Sequence, residues 1–103
     1  MKTILLVCSD GMSTSFLTNK MNDIAKEKNL DLKIYAKSET AIEEELNDID
    51  VLLLGPQIAY LEEKIKDRVK GKVPVASISV LDFGRLNAVA ILKQAVQLMK
   101  ERE

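Results

Sequence analysis

Two short runs without a polar side chain, Ile4-Leu5-Leu6-Val7 and Val51-Leu52-Leu53-Leu54, constrain this chain more than any other feature. A strand with one wet face alternates apolar and polar residues, so an unbroken run signals burial on both faces, as in a parallel sheet covered by helices. The segments between the runs fit that arrangement. A turn signal, Ser9-Asp10-Gly11, follows the first strand, Thr3 to Val7. Met12, Phe16, Met21, Ile24 and Ala25 then recur near helical spacing, opposite Lys20, Asn22, Lys26 and Glu27. The pattern predicts an amphipathic helix on the sheet, with Phe16 in the core and Met12 there or turned toward a partner.

Asp31 to Ala36 alternates, with Leu30, Leu32, Ile34 and Ala36 on one side, as expected of an edge strand. Ser38 or Thr40 can cap a short acidic helix running through Leu46. Gly55-Pro56 closes the second buried run, and a helix after Gln57 carries Ile58, Leu61, Ile65 and Val69 on one stripe before Gly71 ends it. Val73 to Ile78 reads as a fourth strand, and Asn87 as the cap of a last helix bearing Val89, Leu92, Val96 and Met99. The order βαβαβαβα predicts one α/β domain over residues 1–103, with a parallel sheet, helices on both faces and right-handed crossovers.

Composition narrows the chemistry. The chain has 103 residues, and 15 Lys plus Arg against 16 Asp plus Glu leave no basic surplus for nucleic acid or an anionic membrane. Ile4 to Val7 is too short for a bilayer span or a signal peptide, so a soluble cytoplasmic protein is expected. A single cysteine, Cys8, excludes an internal disulfide, a CxxC redox pair and a Cys-rich zinc site. The absence of histidine excludes Cys-His and Ser-His-Asp catalysis, His metal ligation and an internal phosphohistidine. No metal or cofactor is expected.

Ligands of open parallel sheets bind at the carboxyl ends of the strands, where Cys8 and the loops Gly55 to Gln57 and Ser79 to Gly84 all emerge. Between the first strand and its helix lie Ser9, Asp10, Gly11, Met12, Ser13, Thr14 and Ser15. Unpaired N–H groups and partial positive charge at a helix start bind anions, and the same field favours a thiolate. Gly11 allows the turn, and Ser13, Thr14 and Ser15 can add hydroxyl donors. Cys8 therefore reads either as a phosphate-carrying nucleophile or as a small buried hydrophobe at a strand end. The hydroxyl cluster reads equally as helix capping, and Tyr60, one turn beyond Gln57, as a half-buried packing residue. No Walker loop or three-glycine dinucleotide fingerprint occurs. The third strand ends in Gly55-Pro56, without the aspartate of a response regulator.

The strings Leu6-Val7-Cys8-Ser9-Asp10-Gly11-Met12-Ser13-Thr14-Ser15 and Leu54-Gly55-Pro56-Gln57-Ile58-Ala59-Tyr60, with the Phe83-Gly84 turn, resemble the IIB component of the lactose/cellobiose (N,N′-diacetylchitobiose) class of the bacterial sugar phosphotransferase system. The resemblance spans the whole chain. It implies a sheet of order 2-1-3-4 and a relay through a phosphocysteine. A IIA partner, phosphorylated on its own histidine, passes the group to Cys8, which gives it to a sugar held by the membrane IIC component. The protein would then be a protein-phosphocysteine–sugar phosphotransferase, transiently at the membrane through IIC. Cellobiose, lactose and chitobiose stay open, because the membrane component holds the sugar. The rim around Cys8, with Met12, Gln57 and Tyr60, is the implied IIA docking surface, and the protein is expected to be a monomer.

The loop also resembles that of low-molecular-weight tyrosine phosphatases, which share this architecture and place an arginine where Thr14 stands. No arginine lies in the loop, and Asp10 or Asp82 would have to supply the acid, so hydrolysis is the lesser alternative. A non-catalytic docking protein is another. Asp10 departs from the small neutral residues common at its position. Beside a phosphoryl dianion its carboxylate is expected to point outward.

Overall fold

A computed structural model describes residues 1–8 and 11–101; of residues 11–13 only the backbone is described. The strands are β1 (Lys2–Val7), β2 (Leu32–Lys37), β3 (Val51–Leu54) and β4 (Val75–Ser77). The helices are α1 (Gly11–Glu27), α2 (Ile42–Glu45), α3 (Glu62–Val69), α4 (Val80–Gly84) and α5 (Ala88–Glu101), with 3-10 turns at Glu39–Ala41 and Pro56–Leu61. The sheet is parallel throughout, in the order β2-β1-β3-β4.

Alternation along the two inner strands creates two cores. Ile4, Leu6, Val51 and Leu53 face Leu17, Met21 and Ala25 of α1 and Ile91, Leu92 and Ala95 of α5. Leu5, Val7, Leu52 and Leu54 face Ile42, Leu46, Ile65 and Val69 on the opposite side. All eight strand residues are fully buried, each contributing about 1.5–3 kcal/mol, which is why neither run tolerates a polar position.

Several expectations are corrected. Phe16 is 63% exposed, because Leu17 leads the buried stripe of α1 while Thr14 and Thr18 accompany it into the interior. The Thr18 hydroxyl donates to the Ser15 carbonyl at 2.9 Å, so its burial leaves no unpaired oxygen. In α5 the stripe runs through Ala88, Ile91, Leu92, Ala95 and Met99, and Val89 is left 39% exposed. The helix expected directly after Gln57 begins as a 3-10 turn broken at Ile58 (φ −120°, ψ 20°) and becomes α-helical only at Glu62. Its left-handed end starts at Lys70 (φ 51°), one residue before Gly71 (φ 75°).

The fourth strand is shorter than Val73 to Ile78, although its hydrogen bonding continues past both ends. Leu52 N–H donates to the Pro74 carbonyl (3.0 Å) and Ile78 N–H to the Leu54 carbonyl (2.8 Å). Ser79 to Gly84, expected as a loop, is mostly the short α4, with the Ser79 hydroxyl capping Asp82 N–H at 3.0 Å. Asn87 caps α5 through Ala90 N–H as the sequence predicts, whereas Ser38 caps only the 3-10 turn Glu39–Ala41 through Thr40 N–H, and the acidic helix α2 ends at Glu45 with no side-chain cap of its own.

Candidate active site

Cys8 is the residue after β1, 9% exposed, with its side chain in the core layer shared by α1 and α5. The 17-residue helix α1 begins at Gly11, so its start lies three residues from the cysteine. Ser9 and Asp10 lie outside the described residues, as do the side chains of Met12 and Ser13; the expectations for Asp10 and Met12 fall there. Thr14 is turned inward and almost completely buried, while Ser15 is exposed.

The register between β1 and β3 pairs Val7 with Leu54, which brings Gly55 alongside Cys8. Gly55 N–H donates to the Val7 carbonyl at 2.9 Å, locking the two strand ends together. Its φ of −62° is open to any residue, so flexibility is not what this position requires. The requirement is space: a Cβ on Gly55 would lie 2.5 Å from the Cys8 sulfur and 2.7 Å from Gln57 Oε1. The sulfur therefore rests against bare backbone, and the exposed Gln57 folds its carboxamide back onto the same glycine.

Tyr60 was expected to be half-buried but is 80% exposed, standing out from the turn that holds Gln57. On the third loop Phe83 is buried in the layer that holds Cys8, while Val80 and Leu81 are exposed. The end of β4 is tethered from both faces. The Ser77 hydroxyl donates to Glu62 at 2.6 Å, holding that carboxyl below its ordinary range, and Gln94 donates to the Ser77 carbonyl at 3.0 Å. Sequence reasoning brought Cys8, the α1 start and Gln57 to one edge. It missed the steric demand on Gly55, for which a glycine at the end of the strand expected beside the cysteine was the available signal.

Arg68 is engaged on α3 with Glu43 (2.6 and 2.7 Å) and Glu39 (2.6 Å). Among the described residues no helix is long and apolar enough to cross a membrane.

Comparison with known proteins matches residues 3–94 to the family described as PTS system, lactose/cellobiose specific IIB subunit. A galactose-specific EIIB component of Lactococcus lactis subsp. cremoris is 38% identical over 104 residues, covering 95% of this chain and 96% of that protein. An oligo-beta-mannoside-specific EIIB component of Bacillus subtilis is 33% identical over 100 residues, covering 96% and 97%. The solution structure of a cellobiose-specific phosphotransferase IIB component from Borrelia burgdorferi superposes with a TM-score of 0.82 at 35% identity, over 97% of this chain and 93% of that one. A lactose-specific IIB domain structure from Streptococcus pneumoniae shares the fold at a TM-score of 0.76 and 14% identity, covering 91% and 96%. The chain belongs to the lactose/cellobiose-specific IIB family of the sugar phosphotransferase system.

Proposed function

We propose that the protein, as one domain over residues 1–103, carries a phosphoryl group on Cys8 between a IIA phosphohistidine and a sugar held by membrane IIC. The observation that carries this reading is the sulfur's position, seated on Gly55 at a strand end where α1 begins. In the first step the Cys8 thiolate supplies the pair that forms the S–P bond. The N–P bond breaks, and its pair returns to the donor imidazole, which takes up the proton the thiol released. In the second step a sugar hydroxyl oxygen forms the O–P bond, the S–P pair returns to sulfur, and the hydroxyl proton passes to solvent.

The N–H groups of Ser9 to Ser15 hold the phosphoryl oxygens without a metal, Gly11 provides the turn, and neutral donors suit a group that must leave again. Met12, Gln57 and the exposed Tyr60 form the rim on which IIA docks. The sugar belongs to the class spanned by the relatives' names, galactose, cellobiose and oligo-β-mannosides, with lactose and chitobiose alongside. The domain works in the cytoplasm and meets the membrane only through IIC.

Incubation with phosphoenolpyruvate and the phosphohistidine donor proteins should add one phosphate to the intact mass, mapped to Cys8 and absent from Cys8→Ser. An adduct on another residue would overturn the carrier reading. Full sugar uptake by Cys8→Ser would favour a docking role, and sustained p-nitrophenyl phosphate turnover would favour a hydrolase.

A further inference from the structure

We propose that the Gln57 carboxamide contacts the reacting group on Cys8 directly, accepting from the thiol in the empty carrier and donating to a phosphoryl oxygen in the loaded one. This rests on the carrier reading of Cys8. The placement is specific: Gln57 Oε1 and the Cys8 sulfur lie against the same side of Gly55, within 2.7 Å and 2.5 Å of one point in space. The turn that presents Gln57 is held by Gly55 N–H on the Val7 carbonyl (2.9 Å) and Ile58 N–H on the Gly55 carbonyl (3.1 Å). The carboxamide therefore lies on the β3 side of the sulfur, with only the space above Gly55 between them, whereas the helix N–H groups belong to the chain beyond Cys8.

A carboxamide suits both states of such a carrier. Its oxygen accepts from S–H, and rotation about the terminal side-chain bond presents two N–H donors to phosphoryl oxygen. It does so without a charge. A guanidinium or ammonium would hold the dianion more strongly and oppose onward transfer, and a carboxylate would repel it. Gln57 thus balances the loaded and empty forms, beyond serving as part of a docking rim.

The test compares wild type with Gln57→Glu and Gln57→Leu, each loaded through phosphoenolpyruvate and the phosphohistidine donor proteins, confirmed by intact mass, then freed of donor. Phosphorus NMR titration and the adduct's hydrolysis half-life are read on the isolated protein, where partner docking plays no part. Gln57→Glu should raise the second ionisation of the phosphoryl group by about one unit. Gln57→Leu should change the adduct lifetime by about tenfold, the range of a lost hydrogen bond to a charged group. Melting temperatures should stay at the wild-type value, since the residue is exposed.

Wild-type titration and lifetime in both variants, with Cys8 still loaded, would overturn the Gln57 contact and leave the carrier reading standing. If a variant loads slowly, a loss in turnover at unchanged KM for the donor supports the contact, and a loss confined to KM overturns it. Absence of any Cys8 adduct in wild type would overturn both readings together.

Discussion

The Cys8 sulfur and a side chain at Gly55 cannot share the volume they would both need. Adding one methyl group at Gly55 forces the sulfur or the strand end to shift, because a Cβ there would sit 2.5 Å from Sγ. Such overpacking costs about 1–3 kcal/mol, and a misplaced nucleophile loses about 100-fold in rate. Gly55→Ala should therefore lower the initial rate of phosphate loading far more than its modest fall in urea midpoint would suggest. Wild-type loading would show that the sulfur can move aside freely. Cys8 was legible because an apolar run stops at it and Gly11 marks a turn. Gly55 was legible only as the close of a strand, since its contact arises from the pairing of Val7 with Leu54, distant in sequence. Phe16 was misread because Met12 and Phe16 share the i, i+4 spacing of a core face. Met21 and Ala25 are on the buried stripe as the sequence predicts, but Leu17, which leads it, was missed because two buried threonines flank it, Thr18 donating to the Ser15 carbonyl.

Among the elements, β2 and β4 are the edge strands, and Asn22 of α1 covers part of the open side of β2. Asn22 donates to the Ile34 carbonyl at 2.8 Å and accepts from Ile34 N–H at 3.1 Å, imitating one more strand residue; it also donates to the Thr18 carbonyl at 2.9 Å. Asn22→Ala should destabilise the fold by about 1–3 kcal/mol and raise concentration-dependent association through the uncovered edge, measurable by urea titration and sedimentation.

On the other face, Arg68 clamps α3 to Glu39 and Glu43. Its hydrogen bond is the main reason that the Glu43 carboxyl is lowered from 4.5 to about 2. A depressed carboxyl stabilises the fold fully above its unfolded value, and that share is lost as pH falls from about 4.5 toward 2. The melting-temperature gap between wild type and Arg68→Met should accordingly narrow across that window, and a constant gap would remove the ion pair as its cause. Elements with long apolar signals were legible, including the inner strands, α1 and α5. The short α4 was not, because its one turn buries only Phe83 and is held by the Ser79 cap, which reads in sequence as ordinary loop chemistry.

At the scale of the molecule, the sequence implied a parallel sheet between two helical layers through its two unbroken apolar runs, and the resemblance supplied the strand order. Both features are present in the structure. What neither could supply is where each layer's pressure falls. β1 and β3 are enclosed by neighbouring strands and by both cores, so their amides can exchange with solvent only when the whole domain opens. Deuterium exchange should find Leu5, Leu6, Leu52 and Leu53 slowest, with β2 and α4 exchanging through smaller openings; equal rates for inner and outer strands would contradict this ranking. On the carrier reading proposed for Cys8, the phosphoryl acceptor is mounted on the last part of the protein to open. Transient fraying of the outer elements would then admit and release partners while the sulfur proposed to receive the group keeps its foundation.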